Sequence, residues 1–316
     1  MIEVKGLSKI YGSTKAIDNV SFTVEKGTIL GFLGPNGAGK TTTMRILAGY
    51  IPATTGTATI AGYDVHSSSM EVRQRIGYLP ENPPVYPDMS VREFLSFVAK
   101  IKGVPAGHRR QKIETTMERC QITDKAPVLI RQLSKGYRQR VGIAQAIVHD
   151  PQVIILDEPT VGLDPRQIIE VRHLIKSLAG ERTIILSTHI LPEVSMTCDR
   201  VTIINRGKVV ATNTPDSLRQ ELEEGSGYQI EVEGDPSNLL PQLKQISGVD
   251  TVEIQAKEAC QGRSLITVTS THNDEPGREI AAAIVNQGLG LYEMKRIRPS
   301  LEDVFLQLTT TESAVT

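Results

Sequence analysis

Apolar and polar residues change rhythm several times along the 316 positions, and each rhythm predicts a kind of element. The opening stretch alternates in the segments IEVKGL, AIDNVSFTVEKG and TATIAGYDV. Such alternation between turns predicts antiparallel strands with one buried face. The run TILGFLG (28–34) breaks the pattern: it is apolar throughout, ends in glycine and leads into the helical stretch TTTMRILAGY. From 90 to 150 the spacing is mostly helical, with Ser90 placed to cap VREFLSFVAKIKG and Glu114–Arg119 inside a second helical stretch. Two more apolar strands, VIILD (153–157) and TIILSTH (183–189), flank a helix expected around 165–179. Buried strands alternating with helices predict an α/β fold with a parallel sheet covered on both faces.

The composition shifts at EEGSG (223–227), after the helical stretch PDSLRQEL. We therefore expect one domain over 1–222, a linker at 223–227 and a small α/β domain over 228–316. Beyond the linker the order is strand (YQIEVEG), helix (PSNLLPQLKQI), strand (DTVEIQ), strand (LITVTS), helix (GREIAAAIVNQG), strand (LYEMKRI). That order predicts a ferredoxin-like α+β domain. A last helix is expected from Ser300, where SLED forms a capping box through Asp303.

Composition narrows the function by exclusion. Lysine and arginine total 35 against 36 acidic residues, so no bulk positive charge points to nucleic acid or an acidic lipid surface. Cys120, Cys198 and Cys260 are scattered and form no CxxC pair, which speaks against a disulfide framework or a zinc site. The N-terminus lacks the apolar core of a signal peptide, and no run reaches the ~20 apolar residues that span a bilayer. If the protein acts on a membrane, another chain must supply the pore.

The chemistry begins at GPNGAGKT (34–41), which matches GxxxxGK[ST] between an apolar strand and a helix start. Glycines 34, 37 and 39 let the backbone turn its N–H groups inward, and the helix N-terminus adds partial positive charge. Gly34, Pro35, Asn36, Gly37, Ala38, Gly39, Lys40, Thr41 and Thr42 are thus the expected phosphate-binding set. In that set Lys40 reaches the β- and γ-phosphates, and the Thr41 hydroxyl is placed to ligate Mg²⁺. VIILDEP supplies the second half: Asp157 at a strand end can hold Mg²⁺, and Glu158 is placed to deprotonate an attacking water. A further segment, LSKGYRQRVGIAQAIVHD (133–150), sets Ser134 and Gly136 at a fresh helix N-terminus. This makes a second anion site, which one chain does not need for one ATP.

In this combination the first 220 residues resemble the ABC ATPases, with 133–150 as their signature motif. The resemblance implies a P-loop NTPase with a RecA-like parallel core, an antiparallel β subdomain and a helical subdomain. It makes Tyr11 the aromatic that stacks on adenine, and Lys40, Glu158 and His189 the catalytic set, with His189 on the γ-phosphate after Ser187 and Thr188. GLDP (162–165), with Asp164, is similar to the loop that joins two subunits. Glu81 stands where the family usually has glutamine, a harder metal ligand than an amide, so it joins Thr41 and Asp157 as a Mg²⁺ ligand. Lys135 and Tyr137 stand where many relatives carry glycine and glutamine.

The resemblance also implies partners. Two copies, or this chain and a similar ATPase, would close head to tail on two ATP molecules and drive a separate transmembrane permease. The chain would then be cytoplasmic and peripheral to the inner face of the membrane. This combination of features, together with the ending PSLEDVFLQLT, resembles the exporter ATPases of the multidrug and gliding-motility type. Two readings compete. A soluble ABC protein working on the ribosome or on nucleic acid would normally carry two cassettes or long coiled coils; this chain has one cassette and no sustained heptads. A non-hydrolysing binding module would be free to lose Glu158 and His189.

Overall fold

The computed structural model describes residues 1–220, 227–255, 263–270, 275–297 and 305. Ser300, Asp303, Cys260 and all of the expected linker except Gly227 lie outside them. The chain divides into two compact units, Met1–Pro215 and Asp216–Thr316.

The first unit opens with β1 (Ile2–Tyr11), β2 (Thr14–Val24), β3 (Ile29–Leu33), α1 (Lys40–Leu47), β4 (Thr55–Ile60) and β5 (Tyr63–Asp64). It continues through α2 (Ser69–Arg75), β6 (Ile76–Leu79), α3 (Val91–Ile101), α4 (Ala106–Arg119) and α5 (Lys135–Ile147). The last stretch is β7 (Val153–Asp157), α6 (Pro165–Leu178), β8 (Thr183–Thr188), α7 (Leu191–Thr197), β9 (Arg200–Asn205) and β10 (Lys208–Asn213).

The two hydrophobic rhythms give two sheets. In β2, Ile17, Val20, Phe22 and Val24 point inward while residues between them are exposed or half-buried, and β2-β1-β4-β5 form an antiparallel sheet. The strands β3, β7 and β8 are buried along their whole lengths and pair in parallel within the order β10-β9-β3-β8-β7-β6. Phe22 of β2 meets Phe32 of β3 at 5.3 Å between ring centroids, so both sheets share one core. The capping box at Ser90 is present: its Oγ accepts from Glu93 N, and Glu93 Oε2 accepts from Ser90 N at 2.9 Å.

The structure refines the sequence reading at the turns. TATIAGYDV is a bent pair, β4 and β5, folded where Ala61 and Gly62 take left-handed φ of 51° and 84°. Arg206 and Gly207 do the same at 45° and 80° and join β9 to β10, a hairpin the apolar rhythm does not announce. Cys120 and Cys198 are buried free thiols. Burial pushes both upward, Cys120 to about 12, which leaves them unreactive.

The division falls at the first residue of α8 (Pro215–Gln220), and the second unit continues with β11 (Gly227–Glu233), α9 (Leu239–Leu243), β12 (Val249–Gln255), β13 (Arg263–Ser270), α10 (Gly277–Asn286) and β14 (Gly290–Ile297). The strands form an antiparallel sheet in the order β12-β13-β11-β14. Ile230, Val232, Ile266 and Val268 pack with Leu239, Leu243, Ile280 and Ile284 into a core of its own. Among the described residues, no helix is long and apolar enough to cross a membrane.

Candidate active site

Sheet register gathers the chemistry. Parallel pairing sets Leu33 beside Thr188 and Asp157 beside Ser187, so β3, β8 and β7 deliver their carboxyl ends to one edge. That edge is where parallel α/β sheets bind ligands. A cleft of about 530 Å³ lies there, lined by Asn36, Gly37, Gly39, Lys40, Thr41 and Thr42, by Ala16 of β2, and by Glu81, Glu158, Val161 and His189.

The loop from β3 to α1 curls because two glycines permit it. Gly39 has φ 106°, and a Cβ there would come within 2.7 Å of the Ala16 carbonyl oxygen. Gly37 has φ 79° with open space where a side chain would be, which leaves its backbone bare toward the cleft. Gly34, Pro35 and Ala38 do not line the cleft and instead form its backing. Ala38 O accepts from Gly207 N at 2.9 Å, which braces the loop against the β9–β10 turn.

Lys40 is buried at the start of α1. Its Nζ donates to Gly34 O at 2.8 Å and Pro35 O at 3.2 Å, and lies 3.3 Å from Glu158 Oε1. All three ammonium donors therefore aim along the loop and across the cleft. Glu158, the residue after β7, takes a left-handed φ of 51°, uncommon for any residue but glycine and recurrent where a side chain is held for function. Its N–H donates to Ser187 O at 3.0 Å, and its Oε2 lies 2.9 Å from His189 Nδ1.

Asp157 is fully buried, and its Oδ1 accepts from Ser187 Oγ at 2.5 Å and Thr41 Oγ1 at 3.3 Å. Its Oδ2 has no hydrogen-bond partner. Burial holds its carboxyl above the usual range, and the charges of Glu158 and Glu81 push the same way, against the two hydroxyls. The unpartnered Oδ2 of Asp157 and the Thr41 hydroxyl beside its Oδ1 are oxygen donors of the kind a hard divalent cation takes. Asp157 lies behind the cleft lining, Glu81 lines it, and among the described residues no three His, Cys, Asp or Glu side chains are gathered closely enough to hold a metal ion by themselves.

Other expected site residues stand outside this cleft. Tyr11 ends β1 half-exposed, with Lys9 Nζ 5.1 Å from its ring centroid. Ser134 caps α5 by accepting from Tyr137 N at 3.4 Å, and buried Gly136 follows in the first turn. Asp164 caps α6 by accepting from Gln167 N at 2.9 Å. Conversely, Ala16 and Val161 line the cleft although no motif marks them. Their backbone and methyl surfaces carry no sequence signal.

Comparison with known proteins agrees with this geometry. The family described as ABC transporter matches residues 17–161. The bacitracin transport ATP-binding protein BcrA of Bacillus licheniformis is 36% identical over 98% of this chain and 97% of its own length. The daunorubicin resistance ATP-binding protein DrrA3 of Streptomyces coeruleorubidus is 33% identical over 98% of this chain and 95% of its own. A solved structure of an ATP-binding subunit of an ABC transporter is similar with a TM-score of 0.64 at 30% identity, covering 70% of this chain and 92% of that one. The cleft thus lies within an ATP-binding cassette fold, a P-loop NTPase built on mixed sheets.

Proposed function

The chain belongs to the family of ABC transporter ATP-binding proteins, and from that premise we propose that it is the ATP-hydrolysing motor of an exporter. The observation that carries this reading is Glu158, held at left-handed φ between Lys40 and His189 at the phosphate-loop cleft. Lys40 and the N–H groups of the loop grip the phosphates. Glu158 orients a water against the γ-phosphorus and accepts its proton, while His189 fixes the carboxylate and faces the γ-phosphate. Thr41, Asp157 and Glu81 would hold Mg²⁺, which supplies positive charge against the triphosphate when bound. Tyr11 stacks on adenine.

Ser134 and Gly136 begin a helix, a favourable place for an anion, yet they do not line their own chain's cleft. This supports a head-to-tail homodimer, or a pair with a similar ATPase, in which each signature helix closes the other's cleft and Asp164 lies in the joining loop. The γ-phosphate then bridges the two halves, and its loss lets them part. Similarity to a bacitracin transport and a daunorubicin resistance ATP-binding protein supports export through a separate transmembrane permease. The protein would sit in the cytoplasm against the inner face of the membrane, without a nucleic-acid partner. In this reading the ATPase domain is 1–222, a boundary a few residues beyond the Pro215/Asp216 division of the compact units, and the unit from 228 is a ferredoxin-like domain, which the strand order β12-β13-β11-β14 supports.

Glu158→Gln tests the assignment. It should lower ATP turnover by about a hundredfold or more while ATP binding persists, and ATP should then lock the protein as a dimer in sedimentation. An unchanged turnover would remove Glu158 from the role of base.

A further inference from the structure

We propose that Glu193 is a positioning residue for hydrolysis, tying the loop that carries Glu158 to the loop that carries His189; the proposal rests on the roles given above to those two side chains. Glu193 lies in the first turn of α7 and is 3% exposed. Its Oε1 accepts from the Thr160 hydroxyl, and its Oε2 accepts from the Thr188 hydroxyl at 2.8 Å. Both threonines are buried. One carboxylate therefore spans two separate strand ends, using each oxygen once.

Each threonine is bound closely to a residue of the cleft. Thr160 follows Glu158 by two positions and precedes Val161, in a turn closed by Val161 N to Glu158 O at 3.2 Å and Leu163 N to Thr160 O at 3.1 Å. That same turn leads to Asp164. Thr188 immediately precedes His189, and its Oγ1 also accepts from Ile190 N at 3.0 Å, which fixes the backbone on both sides of the histidine. In the cleft, Glu158 Oε2 and His189 Nδ1 join the two loops at 2.9 Å. Glu193 joins them a second time through buried groups that no solvent can replace.

Two ties fix a relative position that one tie leaves free to pivot. The donors given to Glu193 are neutral hydroxyls, so no cation offsets the burial of a carboxylate there. What the carboxylate adds is alignment of a base and a histidine, and small misalignments of reacting groups are expensive in rate.

The test measures ATP turnover of the full chain against ATP concentration, together with nucleotide binding and thermal melting. Glu193→Ala should lower kcat by about tenfold to a hundredfold and leave KM and nucleotide affinity within about twofold. Glu193→Gln keeps the shape and one acceptor oxygen, so it should recover much of the lost rate. Thr160→Val should also slow turnover, but should add little in the Glu193→Ala background because both act through one tie. The proposal is overturned if Glu193→Ala and Glu193→Gln turn over at the natural rate, or if kcat, affinity and melting fall together. Should Glu193→Ala not fold, Thr160→Val decides on the same split: slowed turnover with unchanged affinity supports the tie, and turnover at the natural rate overturns it. Glu158→Gln measured alongside separates the levels. If it still hydrolyses ATP, the base assignment fails; if it is inactive while every Glu193 variant is normal, only the tie fails.

Discussion

At Asp157 two forces oppose each other: burial resists its charge, while Ser187 and Thr41 stabilise that charge by donating to Oδ1. Burial prevails, so the nucleotide-free fold binds this proton more tightly than an unfolded chain does, whose value is the ordinary 3.8. The resulting stability is fully present below pH 3.8 and is lost as pH rises through the higher folded value. Asp157→Asn carries no charge at any pH and escapes that loss. Without nucleotide it should therefore melt above the natural protein at neutral pH, with the gap narrowing as pH falls. A melting series across pH checks this, and a lower Tm for the variant at pH 7 would contradict it. The same substitution should abolish Mg²⁺-dependent turnover, an instance of an active site kept at the expense of stability.

Among the elements, α5 bears two demands on one residue. Ser134 caps the helix within a single chain, and the proposed dimer also asks it to meet a partner's phosphate. Ser134→Asp separates the two. Aspartate caps as well as serine, whereas alanine would cost about 1 kcal/mol. The variant should melt as the natural protein does yet fail to dimerise with ATP when combined with Glu158→Gln, read by size-exclusion chromatography. ATP-dependent dimers of normal strength would contradict the phosphate contact.

The phosphate loop, the strand ending at Asp157 and the helix after Ser134 could be read because their chemistry demands fixed residue types at fixed spacing. The core strands could be read because burial on both faces leaves an unbroken apolar run. The β9–β10 hairpin could not, since its turn rests on Arg206 in a left-handed conformation instead of a usual Asn-Gly pair. Glu193 was equally hidden. A glutamate in the first turn of a helix is ordinary on a solvated face, and only the fold brings Thr160 and Thr188 to it.

For the whole molecule, near-neutral charge and the lack of any bilayer-spanning helix among the described residues are consistent with a motor that acts through another chain. The cassette unit holds the ATP chemistry, and the second unit has its own core and four-stranded sheet. In the proposed function, the transported molecule is read by the membrane partner. The most direct test is to solubilise native membranes gently, capture this chain and identify what accompanies it. The account predicts a polytopic membrane protein in amount comparable to the chain, with ATP turnover in the captured complex that Glu158→Gln removes. Recovery of the chain with ribosomes, or alone in the soluble fraction, would leave the ATPase in place and contradict its coupling to a membrane transporter.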